Sequence, residues 1–495
     1  MARETPIERI GRLLQAGDAA GVLQVANDLL SQSPNSLVGR VARAQAYMNL
    51  FRFVEAEVDI DAALRISAND DKARILRANM DIRLGHVDRA IDLLRPVARG
   101  RGPNAVVAKF ELLKALYQAG RHEQLREEVA VDGAWMKDPQ APLMQARAIA
   151  SSDPEAGIER LKALFNSNAH WSLRRSGAFD AVSLLDKAGR YREAFDLATA
   201  AHAATTSPLQ FGEWTDRLQQ QLVLLDRGPG FFKPRVEPVQ GVAFVVAMPR
   251  SGTTLLEQML DRHPAVSGIG EFDGLDYVYH TLAGNGSWPR VPGAVPDAQF
   301  RELRKYYLEG AAQIRRPGAT WTFDKTLRTW RALPEVASVL PGSVFITVER
   351  DPRDVATSLF LSHFNAQTYN WTQSFAAIRQ LIELQQRIVP KAFEVLGLRH
   401  EVVIYENLVS DPALYASRCL KLMGLEMDDR VLSPEKNEKG SSTLSFAQVR
   451  QPINKRSVAR WRNYEWAFDS TWDSLVAAHD ARRTADASAS GAVSS

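Results

Sequence analysis

The residues of this chain best suited to chemistry gather at two turns. In AFVVAMPRSGTTLLEQML, Pro-Arg-Ser-Gly-Thr-Thr stands between a run of buried-type apolar residues and an amphipathic helical pattern. At such a junction the N–H groups of Gly252, Thr253 and Thr254 point outward, the Ser251 and threonine hydroxyls add donors, and the helix dipole favours negative charge. Gly252 lets the backbone approach a phosphate closely. Against the Walker pattern GxxxxGK[ST], Ala247 replaces the first glycine and Thr253 the lysine. Positive charge comes instead from Arg250, so the turn suits a phosphate but lacks the usual arrangement for a magnesium nucleoside triphosphate. In the second turn, VFITVERDPRDVATSLF, Arg350 follows a β-forming run and Ser358 lies two helical turns further on. These two converge only if the chain folds back over one ligand phosphate. Plainer readings stand beside both: a capped strand-to-helix junction, and an arginine paired with a surface carboxylate.

Those turns need elements to hold them. Beyond residue 240, GVAFVVAM, TTLLEQMLDRH, SVFITVE, RDVATSLFLSHF and HEVVIYE alternate β-rich and helical patterns. The alternation predicts a three-layer, P-loop-like α/β domain with a parallel sheet over 239–480. A connecting helix and a linker rich in glycine and proline, RGPGFFKPRVEPVQ, fill 206–238.

The first 205 residues read as a helical-repeat array. Gly17, Phe51 and Gly85 stand 34 residues apart, as do Val22, Ala56 and Ala90. Later units, marked by Gly120 and by Gly189 in LLDKAGRYREAFDLA, are looser. The period resembles the tetratricopeptide repeat. Alanines at 56, 90 and 194 would let paired helices approach, with Leu64, Leu94 and Leu116 filling the seams. An ordinary alanine-rich bundle is the alternative. An array of this kind implies a concave surface for a protein partner or for self-association.

Composition narrows the classes. With 495 residues, two domains are expected. A balance of 61 basic against 58 acidic residues argues against a nucleic-acid-coating protein, leaving any polyanion site to be local. The single cysteine, Cys419, permits no internal disulfide. No signal or membrane-spanning run is present, which reads as a cytoplasmic protein. ADASASGAVSS suggests a disordered tail over 484–495.

PRSGTTLLEQMLDRHP resembles the 5′-phosphosulfate loop of sulfotransferases, in the form found in the tyrosylprotein branch, and VFITVERDPRDVATSLF is similar to that family's 3′-phosphate motif. The resemblance covers roughly residues 240 to 465. It implies a donor, 3′-phosphoadenosine 5′-phosphosulfate, held by Arg250, Ser251, Gly252, Thr253, Thr254, Arg350 and Ser358. It implies Glu271, in GIGEFDG, as catalytic base, with Asp273 a near alternative, and Lys325, in WTFDKTLRTW, as the cation at the bridging oxygen beside Arg250. It also implies adenosine contact by Tyr405 in VVIYENLVSDP. In SFAQVRQPINKRSVARWRNYE, Ser445, Gln448, Pro452, Asn454, Arg460 and Trp461 fall in register with a loop that closes over the donor, Arg460 replacing lysine, and Arg456 is another phosphate candidate. A further donor arginine of the tyrosylprotein enzymes is missing after Ser358, where His363 is the substitute on offer; histidine bases at His280 or His363 lack the sequence context of Glu271.

The expectation is therefore a metal-independent sulfotransferase, fused to an α-solenoid, whose acceptor is a protein tyrosine or else a glycan or small hydroxylated metabolite. A P-loop kinase or nucleotidase and a non-enzymatic repeat adaptor are the rivals.

Overall fold

The computed structural model describes residues 4–50, 52–204, 211–365, 368–437 and 451–491. Strands β1 (Val242–Val246), β2 (Val266–Gly270), β3 (Trp321–Asp324), β4 (Val344–Glu349) and β5 (Arg399–Ile404) form one parallel sheet in the order β2-β3-β1-β4-β5. Every residue of β1 is buried, because a parallel sheet is covered on both faces and needs no polar alternation. Its side chains divide by parity. Val242, Phe244 and Val246 join Phe345 and Phe393 on one face, whereas Ala243 and Val245 join Ile346, Leu256 and Cys419 on the other. Helix Phe375–Leu396 belongs to the first layer, and helices Thr253–Asp261 and Pro412–Leu422 to the second. This is the three-layer α/β arrangement the alternation predicts.

Contacts divide the chain into two compact units, Met1–Ala148 and Ile149–Ser495. The first is all-helical among its described residues. Its pairs include Ala19–Gln32 with Leu37–Asn49, and Asp71–Arg83 with Val87–Ala98. Gly17, Gly85 and Gly120 each take positive φ at a helix reversal, so the sequence period marks the residues that turn the chain. Ala56, Ala90, Leu94 and Leu116 are fully buried between helices, and Leu64 is half-buried.

The division falls inside the expected 1–205 array and not at the linker. Helices Pro154–Phe165, Trp171–Lys187 and Tyr191–Ala203 share one continuous apolar cluster with the sheet, through Ile158, Ala178, Val182 and Ala194. The segment expected to be a linker is packed too, with Phe232 buried against Trp288 at 5.5 Å between ring centroids. The expected disordered tail is corrected: helix Asp473–Gly491 runs through most of it. Its alanines favour helix, and Asp486 anchors it by accepting from Arg418 at 2.7 Å and Asn407 at 3.0 Å, and from Tyr415. No helix among the described residues is long and apolar enough to cross a membrane.

Candidate active site

The carboxyl ends of all five strands supply the residues singled out by sequence, at the place where open α/β sheets bind ligands. After β1 comes the Arg250–Thr254 turn, after β2 Glu271, after β3 Lys325, after β4 Arg350 and after β5 Tyr405. Register sets their height. Gly270 pairs with Asp324, and the Lys325 N–H donates to the Gly270 carbonyl at 2.9 Å, so Glu271 and Lys325 emerge side by side.

The β1 turn is built for close approach. Arg250 and Gly252 both adopt positive φ, +72° and +102°, and helix Thr253–Asp261 starts immediately after. A Cβ on Gly252 would lie 2.3 Å from Cδ2 of Tyr405, so only glycine permits the tyrosine ring to lie against the loop. Ser251, Thr253 and Thr254 are buried within the turn.

Arg250 and Arg350 converge. Arg250 Nε donates to the Ser358 hydroxyl at 2.8 Å, and Arg350 Nη1 donates to the Arg250 carbonyl at 3.0 Å. Arg350 lies 4.7 Å from the Tyr405 ring centroid and pairs with the fully buried Asp354 at 3.2 Å. Its Nε is buried without a hydrogen-bond partner among the described residues. Desolvation, then the charges of Arg350 and Arg460, pull the Arg250 guanidinium down to about 10. Cations close enough to lower the Arg250 guanidinium form a place for a multiply charged anion.

Lys325 is 1% exposed, far from the solvated lysine its neighbour Asp324 suggests. Its Nζ meets Glu271 Oε1 at 3.1 Å and Glu257 Oε2 at 3.9 Å. Burial opposes the ammonium, but Glu271 and Glu257 outweigh it and its pKa is raised. Glu271 is 43% exposed, so the pair has one dry partner and one facing solvent. Asp324 points elsewhere. Fully buried, it accepts from Tyr307 at 2.6 Å and from the Thr326 N–H at 2.8 Å, and burial pushes it up to about 6. A raised carboxylate pKa means the folded state holds the extra proton between roughly pH 4 and 6, so this group contributes stability at low pH that is lost as pH rises. Asp324→Asn is therefore expected to match wild type near pH 4 and to become the more stable of the two, by up to about 3 kcal/mol, near pH 7. Urea unfolding at both pH values checks it; a constant difference refutes it.

Not every expected residue arrives. Arg460 lies near enough to the cluster for its charge to lower Arg250, but its guanidinium is engaged by Asp186. Arg456 is exposed and bonds within its own segment, to Gln451 at 3.4 Å. Ser445 and Gln448 lie outside the described residues. Trp461 stacks under Arg353 at 3.6 Å and donates its N–H to Asp354 at 2.8 Å. His280 is exposed, and His363 stacks on Phe179 at 5.6 Å between centroids; neither follows a strand. Sequence reasoning missed Glu257, Asp354 and Asp186. The Arg350–Asp354 spacing of four on a helix start was a usable signal for one of them; Glu257 and Asp186 had none.

Five parallel strands ending in a guanidinium cluster and a lysine–glutamate pair define an α/β domain with a cationic site at its strand ends. Residues 243–429 match the model of the Sulfotransferase family, so the C-terminal half of the chain holds a sulfotransferase domain. An uncharacterized protein of Aquifex aeolicus is 25% identical over 300 residues, 57% of this chain and 39% of that one. Protein-tyrosine sulfotransferase 2 of Gallus gallus is 23% identical over 258 residues, 49% of this chain and 68% of that one. The sulfotransferase domain of the Synechococcus PCC 7002 olefin synthase superposes with a TM-score of 0.34 at 20% identity, covering 48% of this chain and 98% of that one. The match to the Aquifex protein thus spans well under two thirds of that relative's length.

Proposed function

We propose that the chain transfers a sulfuryl group from 3′-phosphoadenosine 5′-phosphosulfate to an acceptor hydroxyl, a protein tyrosine in first place. The observation that carries this reading is the meeting of Arg250, Arg350 and Ser358 beside the turn at Gly252, on the same sheet edge as the Lys325–Glu271 pair. The orphaned Nε of Arg350, beside the Arg250 guanidinium and the Gly252 turn, fits a nucleotide with phosphates at both ends.

In this scheme the β1 turn and Arg250 hold the 5′-phosphosulfate, Arg350 and Ser358 the 3′-phosphate, and Tyr405 packs on the adenosine. Glu271 takes the acceptor proton as the acceptor oxygen bonds to sulfur. The bond from sulfur to the 5′-phosphate breaks, and Lys325 and Arg250 neutralise the charge growing on that phosphate. A carboxylate is a far weaker base than a phenolate, so the proton moves late in the transition state. Fixed cations can serve where kinases use magnesium, because the transferred group carries less charge than a phosphoryl group.

The tyrosine preference draws on the similarity of the glutamate-containing segment to the tyrosylprotein branch, and on relatives with that name. The helical unit would serve as a surface for a protein partner.

Donor binding is tested by thermal unfolding with 3′-phosphoadenosine 5′-phosphate against ADP. The former is expected to stabilise the protein by about 2.7 kcal/mol at a hundredfold excess over Kd, and Arg350→Ala to abolish its advantage. Equal shifts would favour a nucleotidase, and magnesium-dependent ATP turnover would establish one.

A further inference from the structure

Asp186 lies in LLDKAGRYREAFDLA, a segment whose spacing places it in the helical array, yet it touches the segment that closes on the sheet's catalytic edge. It sits on the last turn of helix Trp171–Lys187, just before Gly189 reverses the chain with a φ of +76°. Its carboxylate is 13% exposed. Oδ2 accepts from the Arg460 guanidinium, and Oδ1 accepts from the Tyr464 hydroxyl at 2.6 Å. Tyr464 is itself fully buried against Tyr191, 5.5 Å between centroids, so the acceptor is held from both sides.

Arg460 is pinned along its backbone as well. The N–H groups flanking it, of Ala459 and Trp461, donate to Asp354 at 2.9 and 2.8 Å, and Asp354 also holds Arg350. Ala459 takes a φ of +58°, a conformation that non-glycine residues adopt only when their surroundings impose it. Backbone and side chain are thus aimed by two different carboxylates. A guanidinium has five N–H donors, so one edge can rest on Asp186 while others stay available to a phosphate.

We propose that Asp186 is a positioning residue of the donor site: it orients Arg460 toward the cluster of Arg250 and Arg350, which makes the last helical pair part of the polyanion pocket. The inference rests on the donor reading given above. Without Asp186, Arg460 would keep its charge but lose its direction, and affinity should fall even though the pocket becomes more positive.

Asp186→Asn keeps the shape, but its amide offers a single acceptor oxygen to two donors. Calorimetric titration of the full chain with 3′-phosphoadenosine 5′-phosphate should show a rise in Kd of about tenfold, one well-aimed charged contact. The same substitution in an Arg460→Gln background should change nothing, since a residue that acts through another has no effect once that other is gone. Asp186→Glu should recover part of the affinity. If Asp186→Asn folds poorly, Tyr464→Phe loosens the same carboxylate and should show a smaller loss with the same dependence on Arg460. Unchanged or tighter binding by Asp186→Asn overturns the proposal. So does an equal loss with and without Arg460, which would mean a merely structural role. A wild type that ignores the bisphosphate instead removes the donor reading itself, and this inference with it.

Discussion

Glu271→Gln is expected to lower turnover by roughly 10²–10⁴-fold while leaving affinity for 3′-phosphoadenosine 5′-phosphate unchanged. The amide keeps the shape and can still accept from Lys325, now 3.1 Å away, but it cannot take a proton from the acceptor. Glu271 is also the nearest anion to the buried Lys325 ammonium, so the substitution removes charge that stabilises it, and lost activity is read as lost chemistry only under conditions where thermal unfolding shows the variant fully folded. Single-turnover assays with labelled donor, run beside equilibrium binding, separate the two quantities. A fall of less than about tenfold would move the base elsewhere, with Asp273 the first residue to try.

Lys325→Met carries the second large effect, and here stability and catalysis must be separated. Met replaces the stem of a side chain that is 1% exposed but removes the cation, so turnover should drop roughly 10²–10³-fold, the scale of losing one charge-stabilising contact in a dry site. It also leaves Glu257, 4% exposed, without its cationic neighbour at 3.9 Å, a destabilisation of about 3 kcal/mol. Adding Glu257→Gln should restore much of that stability and none of the turnover. Recovery of both would make Lys325 a structural residue. The wild-type pH profile gives an independent check. Burial lowers the ammonium's pKa, but Glu271 and Glu257 raise it further, so the net shift is upward. The stabilisation is present at neutral pH and is lost only as pH rises through that raised value, so Lys325 should impose no alkaline fall in activity below its ordinary range.

Local sequence was enough to determine which segments become strands and helices where the apolar runs are long. The runs GVAFVVAM, SVFITVE and HEVVIYE became β1, β4 and β5, and the residue directly following β4 or β5 is Arg350 or Tyr405. β2, with the sequence VSGIG, has two glycines in five residues and no apolar period, so nothing nearby announced it. Repeating glycines likewise mark the reversals of the helical pairs along the sequence.

Tertiary structure decided the partners. Glu271 and Lys325 follow separate strands and meet because β2 and β3 are neighbours, and Asp186 reaches Arg460 across 274 positions of chain. It also decided that the last helical pairs pack with the sheet, and that a helix, Asp473–Gly491, runs into the segment read as a tail. Backbone preference and apolar period act over a few residues and can be read along the chain; the pairing of charges depends on strand order and layer packing, which are properties of the whole fold.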